Sequence, residues 1–271
     1  NSTQFNVVEK FDNLNITKNS DSNVSSFLTI QEGCNKFCKF CVVPYTRGPE
    51  FSRSIDELIN ETLNLVKNGT REINLLGQNV NAYSHNGKRL SHLIEEISKI
   101  DKIKRIRYTT SHPIDFSEDL IEAHKKVTKL MPLIHLPVQS GSDKILKKMN
   151  RKHSIKYYLD LIKKLKLVNS RIEFSSDFII GYPGETDQDF LDTIKLLKEI
   201  GYINTYSFIF SPRPGTPAAK MKKIDDYVSK ERLFSFQKLA HEIKMKYRKN
   251  LLNKKLLVMF ENSTNNKNLF F

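Results

Sequence analysis

The chain has 271 residues, 39% hydrophobic and 27% charged, and its 44 Lys and Arg against 30 Asp and Glu leave a net charge of +14. No apolar run approaches the roughly eighteen residues of a membrane span, the opening thirty residues lack the apolar block of a secretory signal, and the composition is neither low-complexity nor too polar to bury a core. These exclusions leave a folded chain of one large or two smaller domains, expected in the cytoplasm, whose field draws polyanions. Residues 213–255 hold 13 Lys or Arg and 4 Asp or Glu, so RNA or DNA is a candidate partner, although a solvated lysine-rich face reads the same way.

In chain order, residues 1–25 are rich in turn formers and read as a linker or remnant of a preceding domain, with one short strand over 5–8. From Ser26 the pattern changes to short β-branched or aromatic runs that alternate with amphipathic stretches. Strands are expected at 27–30, 73–76, 105–109, 133–136, 172–180 and 206–210. The helix after the first is marked by Ser54 and Glu57 as a capping box, an apolar stripe through Ile55, Leu58, Ile59, Leu63 and Val66, and Gly69 as its stop. Similar stripes run through Leu93, Ile94 and Ile97, through Ile155, Tyr158, Leu159, Ile162 and Leu165, and through Phe190, Leu191, Ile194 and Leu197. A last helix over 229–251 carries Leu233, Phe236, Ala240, Ile243, Tyr247 and Leu251 on one stripe and basic residues opposite. Residues 256–260 begin like a strand of a further domain.

Strand and helix alternating six times predicts an α/β fold with a parallel sheet, since parallel neighbours need crossovers of about this length. No G-x-G-x-x-G or G-x-x-x-x-G-K-[ST] follows a strand, which removes the usual dinucleotide and P-loop readings. Polar clusters sit instead just beyond the strand ends, as at Gly77-Gln78-Asn79, Ser111-His112-Pro113, Gln139-Ser140-Gly141, Gly181-Tyr182-Pro183-Gly184-Glu185 and Ser211-Pro212-Arg213. In barrel-type folds that rim binds ligands.

The three cysteines, Cys34, Cys38 and Cys41, all lie within the loop after the first strand. An odd, clustered set makes a poor disulfide framework. Eight residues of irregular chain, at up to about 3.3 Å each, can wrap a compact inorganic cluster, and three thiolates suit a four-iron cube with one iron left without a protein ligand. Zinc would need a fourth ligand, with His112 or His135 as candidates. A redox Cys38-x-x-Cys41 pair would leave Cys34 idle.

The C-x₃-C-x₂-C spacing, with Phe40 before the last cysteine, resembles the radical S-adenosylmethionine superfamily. The resemblance extends through Glu32-Gly33-Cys34-Asn35-Lys36-Phe37-Cys38 into Cys41-Val42-Val43-Pro44-Tyr45-Thr46-Arg47-Gly48. It continues at Gly77-Gln78-Asn79-Val80-Asn81, Thr110-Ser111-His112-Pro113, Leu136-Pro137-Val138-Gln139-Ser140-Gly141 and Arg213-Pro214-Gly215-Thr216-Pro217. Over roughly 26–255 these runs look like the methylthiotransferases, in the branch that acts on N6-dimethylallyladenosine of tRNA. The branches acting on threonylcarbamoyl-adenosine and on a ribosomal protein are the nearest rivals.

That resemblance implies a partial (βα)6 TIM-like barrel holding a [4Fe-4S] cluster with one open iron site, to which S-adenosyl-L-methionine binds and is cleaved to a 5′-deoxyadenosyl radical. It implies transfer of a methylthio group to C2 of the adenosine beside the anticodon, with tRNA as partner and a reductase or other electron donor. Carried onto this sequence, Cys34, Cys38 and Cys41 are the cluster ligands and Phe40 packs near the adenine. Gly77, Gln78 and Asn79 meet the methionine amino group, through an amide oxygen because the superfamily's acidic residue is replaced here. Ser140, Asp177 and Arg213 are contacts for ribose, amino group and carboxylate, and Gly181 and Gly184 let backbone approach the adenine or close a turn.

The family also carries an N-terminal domain with three further cysteines for a second cluster, and a C-terminal RNA-binding TRAM domain. With no cysteine outside 34–41, the second cluster is not expected here. The chain reads as 1–25 linker, 26–250 core with its basic helix, and 251–271 the start of a shortened TRAM-like domain, from a truncated or split gene. Full turnover would then need that N-terminal domain, with a separate chain as a candidate supplier, and the competing reading is a noncatalytic RNA-binding remnant.

Overall fold

The computed structural model describes residues 24–261. Six parallel strands alternate with helices: β1 (Ser25–Thr29), α1 (Ile55–Lys67), β2 (Glu72–Leu76), α2 (Leu90–Ser98), β3 (Arg105–Tyr108), α3 (Glu118–Lys126), β4 (Leu133–His135), α4 (Ile155–Val168), β5 (Glu173–Ile180), α5 (Asp187–Ile200), β6 (Asn204–Ile209) and α6 (Asp226–Lys249). Strands β1, β2 and β3 pair in sequence order, as do β4, β5 and β6. The two halves meet where Ile106 of β3 bridges Leu130 in parallel, with Ile106 N–H on Lys129 O at 2.8 Å and Met131 N–H on Ile106 O at 3.0 Å. The order 1-2-3-4-5-6 is that of the expected partial barrel, and β1 and β6 are its open edges.

The six strands expected from 27–30 to 206–210 all form, and most local signals act as read. Ser54 Oγ accepts from Glu57 N–H at the start of α1, and Gly69 follows its end at φ +105°, a conformation that costs glycine least. Three expectations need correction. On α1, Leu63 is exposed and Thr62 is buried in its place. Leu191 faces solvent, and α5 buries Asp189, Thr193, Leu196 and Leu197 instead. Residues 256–260 form no strand: Leu257 is 94% exposed, and its carbonyl accepts from Arg105 Nη2 at 3.2 Å. The strand expected at 5–8 lies outside the described residues.

Period-two alternation splits the sheet chemically. Leu28, Ile73, Leu75, Ile106, Ile134 and Phe178 are fully buried under the helices, and at about 25 cal/mol per Å² this apolar layer is the main stabilising term. The opposite, concave face is polar: Glu72 accepts from Ser25 at 3.2 Å and Arg107 at 3.1 Å, and His135 Nε2 lies 3.3 Å from Asp177 Oδ1. Exposed aromatics, Phe27 on β1 and Tyr206 and Phe208 on β6, stand on this face at the two open edges.

Candidate metal and cofactor site

The cysteine loop leaves β1 through Gln31, whose side chain is fully buried. Gln31 Nε2 donates to Gly33 O at 2.7 Å, and its Oε1 accepts from Asn79 N–H at 3.1 Å. Gly33 N–H in turn donates to Gln78 Oε1 at 2.7 Å. One buried amide and one loop amide thus bolt the cysteine loop to the turn after β2. Gly33 is required: it sits at φ +80°, and a Cβ there would lie 2.0 Å from Pro49 O.

Cys34 N–H is held by Gly48 O at 3.1 Å and Cys41 N–H by Cys38 O at 2.9 Å. Lys39 is gripped on both sides, its N–H by Met149 O and its O by Ala218 N–H, each at 2.9 Å. Phe40 packs against Ile145, Met149, Tyr182, Phe210 and Ala218, a small apolar cluster apart from the main core. The loop is therefore fixed by the chain ends after β1, β2, β4 and β6 together.

The three cysteines are free thiols. Burial pushes Cys34 up to about 11, with Glu50, Cys38 and Cys41 adding to the rise against a backbone hydrogen bond at Lys36. Burial likewise raises Cys41, with Cys38 adding to it. Cys34 and Cys41 thus resist ionisation unless a cation arrives. Among the described residues no three His, Cys, Asp or Glu side chains converge on a single ion. The zinc arrangement through His112 or His135 is not formed, because His112 packs on His153 and His135 on Asp177. A cube asks each thiolate for a different iron, so wider spacing suits it.

The other sequence-predicted residues divide into two groups. Asn79 reaches the loop: it is 2% exposed, Nδ2 donates to Asp115 Oδ2 at 2.7 Å and Glu50 Oε1 at 3.3 Å, and buried Oδ1 has no hydrogen-bond partner. Gly77 cannot carry a side chain, since a Cβ would lie 2.7 Å from Gln31 Oε1. Asp177 faces the concave side beside His135, while Arg213 is exposed on the rim, its carbonyl accepting from Thr216. Ser140 and the two turn glycines have local contacts of their own. Ser140 is 1% exposed and its Oγ accepts from Ser142 N–H. Gly181 backs onto Ser229 of α6, and Gly184 onto Lys148.

Sequence reasoning missed Gln31, Asp115 and Arg151. Arg151 is 8% exposed, with Nη2 on Pro137 O at 2.5 Å and Nη1 3.7 Å from Cys38 Sγ. A charged residue between Asn150 and Lys152 carries no periodic signal, and the contact spans 113 positions.

Residues 28–197 match the family model described as the Radical SAM superfamily. The chain is 58% identical over 264 residues to tRNA-2-methylthio-N(6)-dimethylallyladenosine synthase of Pelagibacter ubique, and 49% identical over 266 residues to that of Ehrlichia chaffeensis. The alignments cover 96% and 95% of this chain but 59% and 60% of those proteins, so the chain spans about 60% of the length of these curated relatives. Among solved structures, coproporphyrinogen III oxidase of Escherichia coli aligns at TM-score 0.59 and 14% identity, over 84% of this chain and 54% of that one. Methylornithine synthase aligns at TM-score 0.58 and 15% identity, over 83% and 64%. With a three-cysteine loop at the C-terminal rim of a six-stranded parallel barrel, and a family model that matches most of that barrel, the chain belongs to the radical SAM superfamily.

Proposed function

We propose that this chain is the radical-generating core of a methylthiotransferase acting on C2 of N6-dimethylallyladenosine in tRNA. The observation that carries the reading is the cysteine loop with its unpartnered Asn79 Oδ1, in a chain about half identical to the synthases named above. Cys34, Cys38 and Cys41 would hold three irons of a [4Fe-4S] cluster, leaving the fourth for the amino and carboxylate groups of S-adenosyl-L-methionine. When bound, these cofactors supply one-electron cleavage of the sulfonium to a 5′-deoxyadenosyl radical.

The residues fit that assignment. Asn79 Oδ1, buried without a donor, is suited to an ammonium, and an unmade bond there would cost about 1–3 kcal/mol. Gln78 is spoken for by Gly33 N–H, so it holds the loop rather than the ligand. Phe40, packed against the small apolar cluster, anchors the end of the loop. Arg213 on the rim suits a carboxylate. Asp177 and His135 line the concave face on which the sugar and the base would lie. Ser140, Gly181 and Gly184 act as turn-shaping residues.

tRNA binding draws on the basic α6, whose net positive surface attracts phosphate. An electron donor is needed, and a sulfur-supplying domain from the same gene or a separate chain completes turnover, in the cytoplasm. Among the described residues no helix is long and apolar enough to cross a membrane. Residues 251–271 are assigned to the start of a TRAM-like RNA-binding domain.

The test is anaerobic reconstitution with iron and sulfide, followed by iron counting and detection of 5′-deoxyadenosine. Fewer than about two irons per chain would sink the cluster assignment. Tight, salt-sensitive tRNA binding with no cofactor cleavage would favour the RNA-binding remnant instead.

A further inference from the structure

Three polar side chains beneath the cysteine loop are buried and incompletely paired. His112 is 4%, Arg151 8% and His153 7% exposed, and the two imidazoles meet edge to face with centroids 5.7 Å apart. Arg151 Nε, His112 Nε2 and both ring nitrogens of His153 have no hydrogen-bond partner in the protein. Four such atoms in one place are costly unless something bridges them. Their chemistry is complementary. His112 Nδ1 accepts from Ile114 N–H at 3.3 Å, so in the neutral ring Nε2 carries the proton and donates, as Arg151 Nε does, while neutral His153 offers one donor and one acceptor. Buried water that accepts from Arg151 and His112 and donates to His153 satisfies the set.

Both rings are held neutral. Burial lowers His153 to about 3, with the Arg151 charge adding to the shift. Burial and then Arg151 lower His112 further.

The guanidinium is fixed on two sides, with Nη2 on Pro137 O and Nη1 3.7 Å from Cys38 Sγ. Its charge acts on both histidines, and its buried Nε has no partner in the protein. We propose that Arg151 is a positioning residue for the Cys38 sulfur, held in place through buried water by His112 and His153, and that it sets the electron affinity of whatever iron Cys38 binds. The inference rests on the cluster reading above. A hydrogen-bonding cation beside a ligating thiolate favours the form with one more negative charge, so the reduced cluster gains more than the oxidised one. No bond forms or breaks in this role.

The test compares the anaerobically reconstituted chain with Arg151→Met, Arg151→Lys and His153→Phe, using iron content, visible absorption and an EPR-monitored redox titration. Arg151→Met should load the same iron but titrate at lower potential, its reduced-to-oxidised ratio falling at a fixed poise. Arg151→Lys keeps the charge and loses the fork, so a smaller shift is expected, and His153→Phe should shift the same way. If Arg151→Met fails to fold or load, the other two variants decide. Variants that load normally with unchanged midpoints would overturn the proposal, whereas a wild-type chain that binds no cluster would overturn the function reading and this one with it.

Discussion

Arg232 on α6 is nine-tenths buried and donates from Nη1 to Glu185 Oε1 at 2.8 Å, while Glu185, 1% exposed at its side chain, also accepts from Gly181 N–H at 3.2 Å. The pair locks α6 to the rim turn after β5. Arg232→Met removes the cation and strands the carboxylate, a change that typically costs about 3–5 kcal/mol. Proton uptake sets a ceiling on the part due to charge. From an ordinary value of 4.5, keeping Glu185 neutral costs about 3 kcal/mol at pH 7 and about 1.4 kcal/mol at pH 5.5. Burial already raises Glu185 despite Arg232, and without the cation its folded value rises further. A folded carboxyl above its unfolded value binds the proton that the unfolded chain releases, so stability falls as pH climbs past the unfolded value. Urea denaturation at pH 5.5 and 7.5 should therefore show a destabilisation that grows by about 1–2 kcal/mol across that window. Glu185→Gln with Arg232→Met should recover most of it, because no charge is left buried. A destabilisation below about 1 kcal/mol, or one equal at both pH values, would refute the reasoning. The Arg232 contact with Asp187 at 2.6 Å adds little to either figure, since that carboxylate is 93% exposed.

Gly33→Ala must accommodate a Cβ now 2.0 Å from Pro49 O at φ +80°; we expect iron loading after reconstitution to fall by more than half with global stability changed by about 1–2 kcal/mol, and unchanged loading would contradict the loop's assigned rigidity. His124 is depressed to about 4 by burial, so its folded value lies below the unfolded one near 6.5; stability should be full above that pH and decline as pH falls toward 4, by up to ~3 kcal/mol, and His124→Gln should flatten that limb of the denaturation profile. Replacing Lys246, Arg248 and Lys249 by Ala on the exposed end of α6 should weaken tRNA binding about tenfold near 0.1 M salt and reduce the salt slope by roughly two to three, as filter binding would measure.

The barrel was legible because its evidence is local. β2 announces itself by apolar Ile73, Leu75 and Leu76 and β5 by its aromatic and β-branched Phe174, Phe178, Ile179 and Ile180, and α1 by Ser54, its stripe and Gly69. Where local evidence thins, the reading fails. α3 buries Leu120, Ile121, Ala123 and His124 in nine residues, too mixed a stripe to stand out, and it is held by packing on α2 and α4. In α5, Leu191 looked like a core residue because hydrophobicity alone cannot tell which of two neighbouring stripes meets the sheet, and Thr193 takes the inner place by bonding Gly141 N–H at 2.9 Å. Of the site, the cysteines could be read from spacing. Gln31 and Arg151 could not, because a glutamine at a strand end and an arginine after a short helix gain meaning only from chain brought beside them across 48 and 113 positions.

The rim around Cys34, Cys41 and Asn79 calls for positive charge, and that bears on why such a loop can exist without collapsing. Cys34 and Cys41 are thiols that burial keeps from ionising. Asn79 Oδ1 is an acceptor with no donor, and Glu50 and Asp115 both bond the Asn79 side chain from the acidic side. Every one of these groups is improved by positive charge, and Lys36 of the loop is already paired with Asp115 at 2.7 Å. A disulfide would satisfy two sulfurs and leave the third and the amide oxygen as they are. A single zinc ion would need a fourth side chain that faces elsewhere. A cluster that takes all three sulfurs and presents a corner to an ammonium-bearing ligand improves each group at once, which is why the geometry favours that pairing over its rivals.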